Sequence, residues 1–276
     1  MRATAVNLDS FVNLSGFVLR WAGFMDVREI MIPSSKGGIS ASIHSSEKQS
    51  DRLAILCPGY LDSKDYGHLV KLAEELAEHG YTAVRFDPTG TWASAGDIAD
   101  YNVTRYLEDI EDVVGFMFKE HGYKTILLGG HSLGGSVSIL HAARDPRTSQ
   151  VLGIMPSAER VSHDQQRKEW EESGVRISQR ELVDGKGTRT FEVPFSYMED
   201  RENYSVLEDV KKTRASIDLV AGELDDVVLP EEVQEIYEAA NEPKKFVVLA
   251  GIDHDYRHND MEIKTVNDKL LELLAA

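Results

Sequence analysis

Short, continuous apolar runs alternate along the chain with stretches in which apolar residues recur every three or four positions. That is the pattern of buried strands separated by amphipathic helices. The runs Arg52–Cys57, Thr82–Phe86, Thr125–Leu128, Val151–Met155, Ser216–Gly222 and Lys245–Leu249 read as strands. Helices are expected near Tyr66–His79 and Thr104–Glu120, and over Ser136–Ala143. Ahead of them, Val27–Ile32 and Gly38–His44 read as a hairpin turning at Lys36-Gly37-Gly38. Leading strands followed by strand–helix alternation predict an α/β fold. Its sheet is mostly parallel and eight-stranded, with an antiparallel leading edge and helices on both faces.

The alternation breaks between Ser157 and Tyr204. A charged stretch around Trp170 is followed by Val175–Val183, the turn Asp184-Gly185-Lys186-Gly187, and Thr188–Val193. Alternating residues on either side of Asp-Gly predict a second hairpin. The chain divides accordingly into an N-terminal segment (1–26), a core (27–156 and 205–276) and an insertion after the sixth strand (157–204).

The strand Thr125–Leu128 runs into Gly129-Gly130-His131-Ser132-Leu133-Gly134-Gly135. Within it, Gly130 to Gly134 fit G-x-S-x-G, in which a serine sits on a sharp turn from strand to helix. The turn forces a strained backbone on the serine and needs small neighbours two positions either side. Ser132 is therefore the candidate nucleophile. Downstream, Asp225 follows the strand Ser216–Gly222, and His254 follows the strand Lys245–Leu249. The order Ser132, Asp225, His254 suits a base that takes the serine proton and an acid that orients the base. Asp226 is the competing acid; Asp225 is preferred because Gly-x-x-Asp is the position that matches the family the chain resembles. His258 falls in a polar stretch where the last helix should begin, and His131 should point away from Ser132.

With these motifs the chain resembles the α/β-hydrolase superfamily, and within it the single-domain esterase and serine-aminopeptidase-like branch. Cinnamoyl and feruloyl esterases and monoacylglycerol lipases lie in that neighbourhood. The likeness spans roughly residues 27 to 275 and also rests on Cys57-Pro58-Gly59-Tyr60 and on Arg85-Phe86-Asp87-Pro88-Thr89-Gly90 with Ser94 and Gly96. It implies an oxyanion hole made by the backbone N–H groups of Tyr60 and Leu133. Lying between the sixth strand and the acid-bearing strand, 157–204 is placed to be a cap over the site, where Trp170, Phe191, Phe195 and Tyr197 would shape the pocket. A plain surface insertion is the alternative. Two positions depart from the family pattern: Pro58 replaces the usual His before Gly, and Trp92 replaces a Gly. The Trp92 indole is expected to reshape one wall of the acyl pocket.

Composition limits partners and compartment. The formal net charge of −17 opposes binding to nucleic acid and to anionic membrane surfaces. One cysteine, Cys57, excludes an intramolecular disulfide and a cysteine-based zinc site, and reads as a buried, inert thiol. No H-E-x-x-H or paired Cys/His cluster suggests a metal. The stretch Ser10–Leu19 lacks the basic flank of a signal peptide and is too short to span a membrane. It reads as an amphipathic helical segment that lies on the domain or flanks a homodimer contact.

The expectation is a cytoplasmic serine carboxylesterase acting on small to medium esters without a cofactor. A serine peptidase or thioesterase on the same fold is the alternative, and a non-catalytic hydrolase-like binding protein is the rival from another class.

Overall fold

In a computed structural model, the residues described are 25–46, 50–158 and 164–275. Most of the N-terminal segment for which a helix is expected, residues 1–24, lies outside them.

The chain opens with an antiparallel pair, β1 (Met25–Ser34) and β2 (Gly37–Ser46). Strand–helix units follow: β3 (Arg52–Cys57), α1 (Gly67–Glu78), β4 (Thr82–Phe86), α2 (Val103–Glu120), β5 (Thr125–His131), α3 (Leu133–Ala142) and β6 (Thr148–Ile154). Next come α4 (Asp164–Ser173), the hairpin β7 (Val175–Glu181) and β8 (Thr188–Pro194), α5 (Ser196–Arg201) and α6 (Val206–Val210). The core resumes with β9 (Ser216–Gly222), α7 (Pro230–Ala239), β10 (Lys244–Leu249) and α8 (Asp260–Ala275).

Eight strands form one sheet in the order β1-β2-β4-β3-β5-β6-β9-β10, and β7 and β8 pair apart from it. From β4 to β10 every neighbouring pair is parallel. Only β2 runs antiparallel to both of its neighbours. The sheet is covered on both faces because side chains alternate along each strand. In β3, Leu53, Ile55 and Cys57 face the apolar layer shared with α2, α3 and α7, while Ala54 and Leu56 face the layer under α1 and α8. The crossovers bring the carboxyl ends of the six parallel strands to one rim, where loops can hold side chains against a rigid frame.

Two element boundaries differ from expectation for identifiable reasons. The first hairpin turns at Ser35-Lys36, since Gly37 and Gly38 pair within β2. Helix α3 begins at Leu133 rather than Ser136. Its glycines are poor helix formers, but a Cβ at Gly134 would overlap the Cys57 carbonyl, so close packing outweighs propensity.

Candidate active site

The turn from β5 into α3 carries Ser132 with φ 54° and ψ −121°. Its N–H donates to the Ile154 carbonyl at 2.8 Å, and its own carbonyl accepts the Ser136 N–H at 3.1 Å. The strained conformation is therefore pinned from both sides. Glycine is required at 130 because a Cβ there would lie 2.5 Å from the Cys57 oxygen. The same crowding sets the loop after β3 against the first turn of α3. Ser132 itself is half-buried at the rim.

His254 and Asp225 meet at the same rim, with the His254 ring packed on that of His131, the residue before Ser132. His254 Nδ1 lies 2.7 Å from Asp225 Oδ2, and both residues are buried. The other carboxylate oxygen of Asp225 accepts the N–H groups of Val227 and Val228 at 2.9 and 2.7 Å. Asp226 is exposed to solvent. With Nδ1 facing a carboxylate, Nε2 is the ring nitrogen left for a further partner. His258 is exposed in a short 3₁₀ turn, Tyr256–His258, that precedes the last helix.

The loop after β3 is fixed through its main chain. Residues Gly59 to Asp62 form a turn closed by the Asp62 N–H on the Gly59 carbonyl at 3.1 Å. The Leu61 N–H donates to the Tyr101 hydroxyl at 3.1 Å, and the Leu61 carbonyl accepts from Trp92 Nε1 at 2.9 Å. Among the described residues, nothing accepts the Tyr60 N–H or the Leu133 N–H. Those are the two donors expected from the sequence.

Four non-glycine residues among those described have positive φ: Leu61, Trp92, Ser132 and Met155. They follow β3, β4, β5 and β6 in turn, so the unusual backbone is gathered on one rim.

Behind His254 lies a buried polar cluster that sequence reasoning misses. The His131 ring centroid is 4.6 Å from that of His254, and His68 and Tyr256 pack edge-on against His131. Burial lowers His131 to about 4 and His68 to about 3, so both rings are neutral at physiological pH. Asp62 lies 4.0 Å from His131, 3.6 Å from Arg180 and 3.7 Å from Arg257. Burial opposes its ionisation, but His131, Arg257 and His68 together hold the carboxyl well below its ordinary range. Asp62, His68 and His131 bring ligand-type atoms within 4.8 Å of one another. The guanidinium groups of Arg180 and Arg257 already stand beside the carboxylate, where the positive charge of a metal ion would act. No local pattern marks this cluster, since its members come from four separate segments of the chain.

Asp87 serves the neighbouring loop, accepting the Lys64 N–H at 2.8 Å and the Ala93 N–H at 3.2 Å. Burial raises its carboxyl to about 6.

The aromatic residues expected near a pocket fall into two groups. Trp92 packs edge-on against Phe191 and Tyr66 where the β7–β8 hairpin meets the core. Trp170 and Tyr101 each stack on Tyr197, with ring centroids 5.7 Å from it in both cases, and Phe195 lies edge-on to Trp170. A cleft of about 280 Å³ opens between hairpin and core, bordered by Tyr66, Gln179, Arg180, Arg257 and His258. Among the described residues, no helix is long and apolar enough to cross a membrane.

Known proteins share this architecture. A ferulic acid complex of Est1E from Butyrivibrio proteoclasticus superposes with a TM-score of 0.71 at 21% identity, covering 90% of this chain and all of that one. In sequence, polyketide transferase grgF of Penicillium sp. is 31% identical over 118 residues, 41% of this chain and 40% of the relative. The mitochondrial palmitoyl-protein thioesterase ABHD10 of Mus musculus is 24% identical over 186 residues, 63% of this chain and 59% of the relative. The chain thus spans about half the length of these curated relatives. The model of the serine aminopeptidase family S33 matches residues 48–204, more than half of the chain. With that match and this fold, the chain belongs to the serine aminopeptidase S33 family of α/β-hydrolases.

Proposed function

We propose that the protein is a serine carboxylesterase for small to medium esters, with Ser132, His254 and Asp225 as its catalytic residues. The observation that supports the reading is a strained, half-buried Ser132 on the same rim as a His254 that packs on the neighbouring His131 and whose Nδ1 is held by a buried carboxylate. Nε2 of His254 takes the Ser132 proton as Oγ attacks the ester carbonyl. Asp225 fixes the tautomer and stabilises the imidazolium that forms. The unpartnered N–H groups of Tyr60 and Leu133 receive the oxyanion, and loss of one such donor typically lowers turnover about 10²–10³-fold. His254 then protonates the leaving alcohol, and water, deprotonated by the same ring, releases the acid. Residues 157–204 act as a cap, with Trp92, Trp170, Phe191, Phe195 and Tyr197 bounding or bracing the acyl pocket.

A thioesterase is the second reading, favoured by the likeness to the mouse palmitoyl-protein thioesterase. The same groups would serve it, because a thiolate leaves more easily than an alkoxide and needs less help from His254.

The test is hydrolysis of p-nitrophenyl esters from acetate to palmitate, run beside acyl thioesters and an aminoacyl anilide, with wild type and Ser132→Ala. An oxygen-ester preference lost by about 10⁴-fold or more in the variant is expected. Faster thioester turnover would replace the first reading with the second. Folded wild type with no turnover on any acyl substrate would point to a binding protein.

A further inference from the structure

Asp62 is ionised and its side chain is only 3% exposed, yet the two guanidinium groups and the imidazole around its carboxylate stand just beyond direct hydrogen-bond distance. His131 Nδ1 is 4.0 Å and Arg257 Nη1 3.7 Å from Oδ2, and Arg180 Nε is 3.6 Å from Oδ1. Both guanidinium groups have shorter contacts elsewhere. Arg180 donates to the Tyr60 carbonyl from Nε at 3.1 Å and Nη2 at 2.9 Å, and Arg257 Nη1 lies 2.9 Å from Asp255. They give Asp62 opposite charge without a direct hydrogen bond, and a buried carboxylate needs both. Polar groups held more than 3.5 Å apart are at the spacing a bridging water fills.

The imidazoles beside Asp62 make the same demand. All four ring nitrogens of His68 and His131 are buried without a hydrogen-bond partner among the described residues. Both rings are neutral, so each offers one N–H and one bare nitrogen, and unpaired polar atoms in an interior are costly. One nitrogen of each ring and one oxygen of Asp62 lie within 4.8 Å of one another. Two atoms bridged tetrahedrally by a water at about 2.8 Å stand about 4.6 Å apart. A zinc ion at about 2.1 Å would draw its ligands to about 3.4 Å, closer than the 4.0 Å between Asp62 and His131. The spacing is therefore that of a water, and the two nearby arginines oppose a cation. Gly59 closes one side of the pair, since a Cβ there would lie 2.7 Å from Asp62 Oδ2 and 3.5 Å from His131 Nδ1.

We propose that Asp62, His68 and His131 form a buried binding site for one water molecule, behind the ring of His254. The water donates one hydrogen to Asp62 Oδ2 and the other to the bare nitrogen of one imidazole, and it accepts the N–H of the second. Three partners are the usual number for a water inside a protein. The two imidazoles are then complementary: where one presents N–H to the site, the other presents a bare nitrogen. The site lets a carboxylate stay charged in the interior, and it does not rest on the serine-hydrolase reading.

The test is a crystal structure of the full-length wild type at about 1.2 Å resolution, with the metal content of the same preparation measured by plasma mass spectrometry. The expected result is one ordered water within about 3.2 Å of Asp62 Oδ2, His131 Nδ1 and a His68 nitrogen, and no stoichiometric metal. Asp62→Asn keeps an acceptor and should keep the water. His68→Phe keeps a ring without its nitrogens, and its structure should show the water lost or its occupancy reduced. Nitrogen-15 spectra of the wild-type imidazoles give a second readout: of the two nitrogens facing the site, one should be protonated and the other bare. A direct Asp62–His131 hydrogen bond with no atom between them, a bound zinc ion, undiminished water in His68→Phe, or two site nitrogens in the same protonation state would overturn the proposal. If a variant does not fold, the wild-type structure and spectrum still decide.

Discussion

Asparagine at 225 would separate the two tasks of that carboxylate. One oxygen accepts the Val227 and Val228 N–H groups, and the other faces His254 Nδ1. In Asp225→Asn the remaining carbonyl oxygen can keep the main-chain pair, which turns the amide NH₂ towards the ring. Nδ1 must then accept, so the ring proton moves to Nε2, the atom that has to receive the serine proton. The geometry survives and the tautomer is wrong. For a change of this kind the loss in kcat is about 10⁴, equivalent to about 5.4 kcal/mol of barrier at 1.36 kcal/mol per tenfold. Stability should move little, because each hydrogen bond keeps a donor and an acceptor. Initial rates on the best p-nitrophenyl ester, with thermal unfolding alongside, would measure both. Asp226→Asn is the control, since that side chain is in solvent. Turnover of Asp225→Asn within tenfold of wild type, or an equal loss in Asp226→Asn, would refute the assignment.

Other outcomes follow from the same structure. Ser132→Gly should be inactive yet raise Tm, because glycine relieves a strain of about 1–3 kcal/mol that Ser132→Ala, with its Cβ, retains. Scanning calorimetry showing equal Tm for the two variants would mean that the elbow is not strained. Cys57 is buried and its thiol is pushed up to about 12, so iodoacetamide should leave the native protein unlabelled at mildly alkaline pH and modify it after unfolding. Mass spectrometry of the native sample decides this, and rapid labelling would contradict the burial. Burial raises the Asp87 carboxyl from 3.8 to about 6, so the folded protein holds a proton there that the unfolded chain has released. The sign follows: this group's contribution to stability increases as pH falls through about 6, is complete below about 4, and is lost as pH rises again. The Tm of wild type minus that of Asp87→Asn should therefore grow between neutral pH and pH of about 4, and a flat difference would exclude the shift.

The strands are legible in the sequence because each is a short apolar run bounded by polar or turn residues. Arg52–Cys57 and Thr82–Phe86 fall where the pattern puts them. Ser132, Asp225 and His254 are legible because each closes such a strand, and chain order then brings them to one rim. Helix starts read less well: Leu133-Gly134-Gly135 begins a helix against its propensity because α3 packs on the Cys57 carbonyl. The link from Arg180 to Tyr60 is not legible, since it joins residues 120 positions apart through a main-chain carbonyl that any residue possesses. Nor is the contact between His131 and His254. It depends on how two loops pack, and a histidine within G-x-S-x-G carries no local sign of that.

The gathering of unusual backbone at the rim above β3 to β6 gives the molecule a front and a back. At the back, Lys124 precedes β5 with its side chain 76% exposed, paired there with Asp51. A support coupled through Lys124 would leave the front facing the solution. Coupling through Lys186, exposed in the turn of the β7–β8 hairpin, would press that hairpin and the cleft beside it against the support. Two preparations with the same number of attached molecules would then differ in whether the hairpin and its cleft face the solution, through orientation alone.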